Sequence, residues 1–110
     1  MTAVLDVGPR WLALVREVLA ERAPRPCRIY AFGSRVQGRA RRFSDLDIAV
    51  DAGRPLTLRE EARLADAFDE SDLPWRVDLV DLVTCSKTFR REVESHAVLV
   101  FESGEGSPTG

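Results

Sequence analysis

Asp45 and Asp47 are separated by a single residue, and Leu46, Ile48 and Val50 alternate with Asp45, Asp47, Ala49 and Asp51. A period of two identifies a half-buried strand whose successive side chains leave opposite faces. The two carboxylates then share a face, with Cα atoms roughly 6.5–7 Å apart. Like charges this close repel, and a hard divalent cation between them, Mg2+ above all, removes that cost. Two-metal phosphoryl transfer sets its ions about 3.5–4 Å apart, one beside the attacking oxygen and one on the triphosphate and leaving group. Such a site calls for a third carboxylate. Asp78 is the candidate, because Val77, Leu79 and Val80 around it predict a strand interior where an uncompensated charge is costly. Asp81 has the opposite parity, so only one of the two can face Asp45 and Asp47.

Upstream, Gly33 permits close backbone approach, and Ser34 offers a hydroxyl and an amide at the start of a predicted helix, a favourable place for phosphate oxygens. Taken separately, Gly-Ser is a weak signal and Asp-x-Asp is common on solvent-facing strands. No Walker Gly-Lys-Ser/Thr and no Gly-x-Gly-x-x-Gly is present, so P-loop and Rossmann readings lack their fingerprints.

The elements that must position these residues are legible in outline. Pro9 suits a first helical turn, and Trp11, Leu12, Val15, Val18 and Leu19 recur at helical spacing through Glu21. Arg28 to Phe32 reads as a short strand running into Gly33. Arg35 to Phe43 is basic, with Arg35, Arg39, Arg41 and Arg42 around Gly38, and reads as a short helix and a loop. Thr57 to Glu60 fits a capping box opening a helix that turns Leu58, Ala62, Ala65 and Phe68 inward. Trp75 to Val83 is apolar on both faces and is expected to be a central strand. A last helix covers Lys87 to His96, and Val98 to Phe101 adds an extended segment. Trp11 and Trp75 fit core positions, and His96, the sole histidine, is assigned no role.

At 110 residues the chain suits one domain, expected over 1–103 with a flexible tail at 104–110, so further functional parts must come from another chain. A formal net charge of -2 offers no global basic field, so nucleic acid is not the expected main ligand. Fifteen of the 16 basic residues are Arg, a usage consistent with coding bias as well as with phosphate recognition. Cys27 and Cys85 match no metal-ligand spacing, and no leader segment is recognised, which together predict a reducing cytoplasm. No apolar run approaches the ~20 residues that span a bilayer, so no membrane role is expected.

Taken together, Gly33-Ser34, ten intervening residues, Asp45-Leu46-Asp47 and the later Asp78 resemble the signature of the DNA polymerase β-like nucleotidyltransferase superfamily. Gly33 to Gly38, Ser44 to Val50 and Val77 to Val80 are similar to the minimal nucleotidyltransferase (MNT) family in particular, and the resemblance covers about Arg10 to Phe101. It implies a small α/β fold, a mixed sheet of at least three strands with helices mainly on one face, and an acidic site at an open sheet edge. Gly33, Ser34 and Arg35 would bind the triphosphate, Asp45 and Asp47 would hold two Mg2+ ions with the nucleotide, and Asp78 would complete the site and help activate the acceptor hydroxyl. Ser44 matches a family position and receives no assigned role.

Family members of this size pair with helical HEPN-type RNase toxins, so the resemblance implies an antitoxin that transfers AMP from ATP to its partner, in a hetero-oligomer. Two other functions share these features. A small-molecule nucleotidyltransferase of the antibiotic-modifying kind would usually carry an extra acceptor domain, and a binding-only antitoxin would not use the carboxylates.

Overall fold

The computed structural model describes residues 8–33 and 45–104. Three helices and four strands follow one another as α1 (Gly8–Arg22), β1 (Cys27–Phe32), β2 (Leu46–Asp51), α2 (Leu58–Asp69), β3 (Val77–Asp81), α3 (Lys87–His96) and β4 (Val98–Ser103). The strands form a mixed sheet in the order β3-β2-β1-β4. β1 pairs antiparallel with β2 and β4, and β2 pairs parallel with β3. Parallel neighbours need a crossover, and α2 supplies it.

Alternation along the strands divides the sheet into two faces. Cys27, Ile29 and Ala31 of β1 and Leu46, Ile48 and Val50 of β2 are buried in the main core with Val15 and Leu19 of α1 and Leu64 and Phe68 of α2. Trp11 and Trp75 pack against this core and edge to face on each other, with ring centroids 6.0 Å apart, as their apolar positions predict. On the opposite face Ala49 joins Leu82 and Val93, with Tyr30, Phe32 and Phe89 packed around them. Two helices therefore cover one face and α3 lies along the other, in keeping with helices mainly on one side.

Local signals explain the helix boundaries. Thr57 closes a complete capping box with Glu60: the Thr57 side chain accepts from the Glu60 amide at 3.1 Å and the Glu60 carboxylate accepts from the Thr57 amide at 3.0 Å. Arg54 clamps the same carboxylate with two 2.7 Å hydrogen bonds. Ser86 caps α3 through the Phe89 amide at 3.1 Å.

Two expectations are corrected. In α2 the buried residues are Leu64 and Phe68, whereas Leu58, 84% exposed, and the exposed Ala62 and Ala65 face outward. Leu58 directly follows the cap and projects away from the sheet, and alanines mark a helix face only weakly. β3 is also an edge strand among the described residues rather than a central one. It is apolar on both sides because Val77 and Leu79 pack on the main core while Leu82, just beyond it, is buried in the cluster under α3. The tail beyond Gly104 and the basic segment up to Ser44 lie outside the described residues.

Candidate active site

Burial of Leu46, Ile48 and Val50 against α1 and α2 forces Asp47 onto the opposite face, half-buried, with the exposed Asp45 immediately before the strand. The parallel register sets Asp47 directly beside Asp78, and the ladder opens one residue earlier, where the Leu46 amide donates to the Arg76 carbonyl at 2.9 Å. Paired residues of adjacent strands project to the same side about 4.8 Å apart, so Asp47 and Asp78 are neighbours on one surface. The antiparallel register on the other side pairs Asp47 with Phe32. Gly33 therefore leaves β1 next to the Asp47 carboxylate.

Gly33 has φ +82°, in the region that favours glycine. A Cβ there would collide with the Asp47 Oδ2. The β1 turn and the carboxylate are thus packed so closely that only glycine fits. The Gly33 amide donates to Nε2 of His96, at the C-terminal end of α3, at 3.3 Å. Sequence reading missed this residue. The two lie 63 positions apart, and nothing in the local pattern of α3 marks one of its residues as touching β1.

The electrostatics single out Asp47. Its carboxyl is pushed above the usual Asp value, first by burial and then by the charges of Asp78 and Asp45. The exposed Asp78 does not carry the desolvation expected for a strand interior; in its edge position that burden falls on Asp47 instead. A carboxylate raised by burial and by two like charges is a group that a cation would relieve, and this donor set suits a hard divalent ion. Among the described residues no three carboxylate, histidine or cysteine side chains are gathered into a ready-made ligand cage.

Asp81 behaves as its parity predicts. Its carboxylate accepts the Leu56 amide at 2.8 Å and the Val83 amide at 2.9 Å, fastening the segment before α2 to the end of β3. It is structural, and Asp78 is the residue that joins Asp45 and Asp47. Ser34 and Arg35, expected on the triphosphate, and Arg39, Arg41, Arg42 and Ser44 lie outside the described residues. An open groove of about 700 Å³ lies at the other end of the sheet, lined by Pro26, Arg28, Asp51 and Glu102, away from the carboxylates. Its main charges are already matched, Arg28 to Glu102 at 2.6 Å and Asp51 to Arg90 at 3.1 Å.

Comparison with known proteins identifies the family. The probable protein adenylyltransferase MntA of Haemophilus influenzae is 44% identical over 100 residues, spanning 91% of this chain and 87% of that protein. A crystal structure of a toxin-antitoxin with AMP-PNP superposes with a TM-score of 0.71 at 33% identity, covering 84% of this chain and 73% of that one. A complex of a tri-AMPylated Shewanella oneidensis HEPN toxin with its MNT antitoxin gives a TM-score of 0.64 at 29% identity, over 84% of this chain and 70% of that one. The Polymerase beta, Nucleotidyltransferase family matches residues 15–106, and with the Asp-x-Asp strand, the glycine turn and the third carboxylate beside them, the chain belongs to that family.

Proposed function

We propose that this chain is a protein adenylyltransferase that moves AMP from ATP onto a hydroxyl of a HEPN-type toxin and thereby acts as its antitoxin. The observation that carries this reading is the register that sets Asp47 beside Asp78, with Asp45 one step before the strand and the Gly33 turn against Asp47. The acceptor and the partner are supported by the relatives: one is named a probable protein adenylyltransferase, and another is an MNT antitoxin in complex with an AMPylated HEPN toxin.

In this reading residues 1–103 work as one catalytic domain. Asp45 and Asp47 would hold magnesium, two ions once the nucleotide is present. Bound there, magnesium supplies charge neutralisation and Lewis acidity toward the phosphate oxygens. Gly33, Ser34 and Arg35 orient the triphosphate so that the α-phosphorus faces the acceptor. The acceptor oxygen attacks the α-phosphorus, the bond between the α-phosphorus and the bridging oxygen breaks, and pyrophosphate leaves. Asp78, exposed on the edge strand, would complete the metal site and take the hydroxyl proton. Among the described residues no further strand lies beyond β3 in the sheet, an edge that suits the approach of a protein-sized acceptor. ATP consumption and two free thiols, Cys27 and Cys85, suit a reducing cytoplasmic setting; no helix among the described residues is long and apolar enough to cross a membrane.

The test mixes the purified chain with a HEPN-type toxin, ATP labelled at the α-phosphate and magnesium. Label on the toxin, with loss of its RNase activity, is the expected result. Stable binding without label would instead indicate an antitoxin that acts by occlusion alone.

A further inference from the structure

His96 sits at the C-terminal end of α3, and both of its ring nitrogens have partners. Nε2 lies 3.3 Å from the amide nitrogen of Gly33. A backbone N–H only donates, so Nε2 must present its lone pair. Nδ1 lies 3.3 Å from the Ser95 Oγ, whose own proton goes to the Glu92 carbonyl at 2.6 Å. The Ser95 oxygen is therefore left with lone pairs toward the ring, and Nδ1 must be the donor. The Nε2 contact calls for a neutral ring with its proton on Nδ1, and the Nδ1 contact suits that tautomer.

The backbone on either side of His96 is also held in place. α3 is tied to the sheet at its other end, where Arg90 reaches Asp51 at 3.1 Å and the Leu82 carbonyl at 3.0 Å. Phe89 packs edge to face on Phe32, the residue before Gly33, with centroids 5.8 Å apart. Directly after His96 the Ala97 amide closes the helix on Val93 at 2.8 Å, and Val98 pairs with Ala31. The backbone that carries the ring is thus held against β1.

We propose that His96 is a positioning residue of the nucleotide site: neutral, with its proton on Nδ1, it accepts the Gly33 amide and fixes Gly33 against the Asp47 carboxylate. This rests on the reading of Gly33 and Ser34 as the triphosphate turn. The Gly33 amide is then committed to His96 and is not a phosphate donor. Gly33 acts by the space it leaves beside Asp47, and His96 keeps that space in register with the carboxylate.

The sole histidine makes the test direct. In the ¹⁵N-labelled full chain at mildly alkaline pH, long-range proton–nitrogen correlation should show Nδ1 protonated and Nε2 bare, and His96→Gln should move the Gly33 amide resonance. Calorimetric titration with magnesium-ATP should show binding weakened about three- to tenfold in His96→Ala, the range for one neutral hydrogen bond. His96→Gln, whose amide can accept from Gly33, should restore most of that affinity. An imidazole protonated on Nε2, or equal nucleotide affinity in wild type and His96→Ala, overturns the proposal. Should His96→Ala fold poorly, the tautomer and the His96→Gln titration decide alone. Asp47→Asn separates the two readings: if it keeps transfer activity the site assignment fails, and if it is inactive while His96→Ala binds normally, only the role of His96 fails.

Discussion

Gly33 and Asp47 are locked together: a Cβ added to Gly33 would lie 3.2 Å from the Asp47 Cγ and collide with its Oδ2. Gly33→Ala should therefore act twice. The positive φ costs about 1–2 kcal/mol for an L residue, and the Asp47 side chain must also leave its position. Thermal melting should fall by about 4–8 °C per kcal/mol lost, and AMP transfer should be lost as well. Unchanged melting together with unchanged turnover would remove this turn from the site.

Asp47→Asn should abolish transfer and, in magnesium-free buffer, raise the melting temperature. The native carboxyl is held above the usual Asp value, so near neutral pH its charge opposes folding, and that opposition fades only as pH falls through the raised value toward the ordinary one. Adding magnesium should stabilise the wild type and leave Asp47→Asn unaffected. Melting curves with and without the ion check both points.

The two acids of β3 should separate by assay. Asp78→Ala should cripple transfer with little loss of stability, since Asp78 is exposed at the sheet edge. Asp81→Ala leaves the Leu56 and Val83 amides without their acceptor and should cost about 1–3 kcal/mol, with transfer per folded molecule retained. Denaturant unfolding paired with labelled-ATP turnover reads the two effects apart.

Glu60 sets an acid limb. Its carboxyl is lowered from 4.5 to about 2, first by the Arg54 hydrogen bonds and then by the Thr57 amide. A depressed carboxylate lends stability that is present above its ordinary value and lost as pH falls through about 2. Glu60→Gln keeps a capping-box side chain and loses the charge pair with Arg54, so it should cost about 0.5–1 kcal/mol at neutral pH. The gap between the two proteins should close as the pH falls toward 2. A gap that stays constant across this range would show that another group sets the limb.

The phase of α2 is open to a simple check. Leu64→Ala should cost about 2–5 kcal/mol, because Leu64 is fully buried. Leu58→Ala, at an exposed position, should change stability by less than about 0.5 kcal/mol.

Where a residue's surroundings follow from its own strand or cap, the sequence reads well. Leu46, Ile48 and Val50 announce the buried face of β2 and so the open face of Asp47, and Thr57 with Glu60 announces the start of α2. Parity alone distinguishes Asp78 from Asp81. Legibility ends where position depends on distant chain. The orientation of α2 follows from Leu64 and Phe68 meeting α1 and the sheet, which outweighs the small apolar surface of Ala62 and Ala65. The edge location of β3 depends on strand order, and the meeting of His96 with Gly33 depends on α3 lying back across the sheet.

The alternation along β2 also governs which changes of length the chain can survive. Loss of Ala49 would break the phase between Asp47 and Asp51, so that either Asp51 takes the buried place of Val50 or Asp47 turns toward α1 and α2. Either outcome puts an unpaired carboxylate into an apolar core at a cost of several kcal/mol, comparable to the ~5–15 kcal/mol that hold a domain together. Insertions and deletions should therefore collect in the connections, such as the exposed Gly53 to Pro55 stretch, while the length of β2 stays fixed.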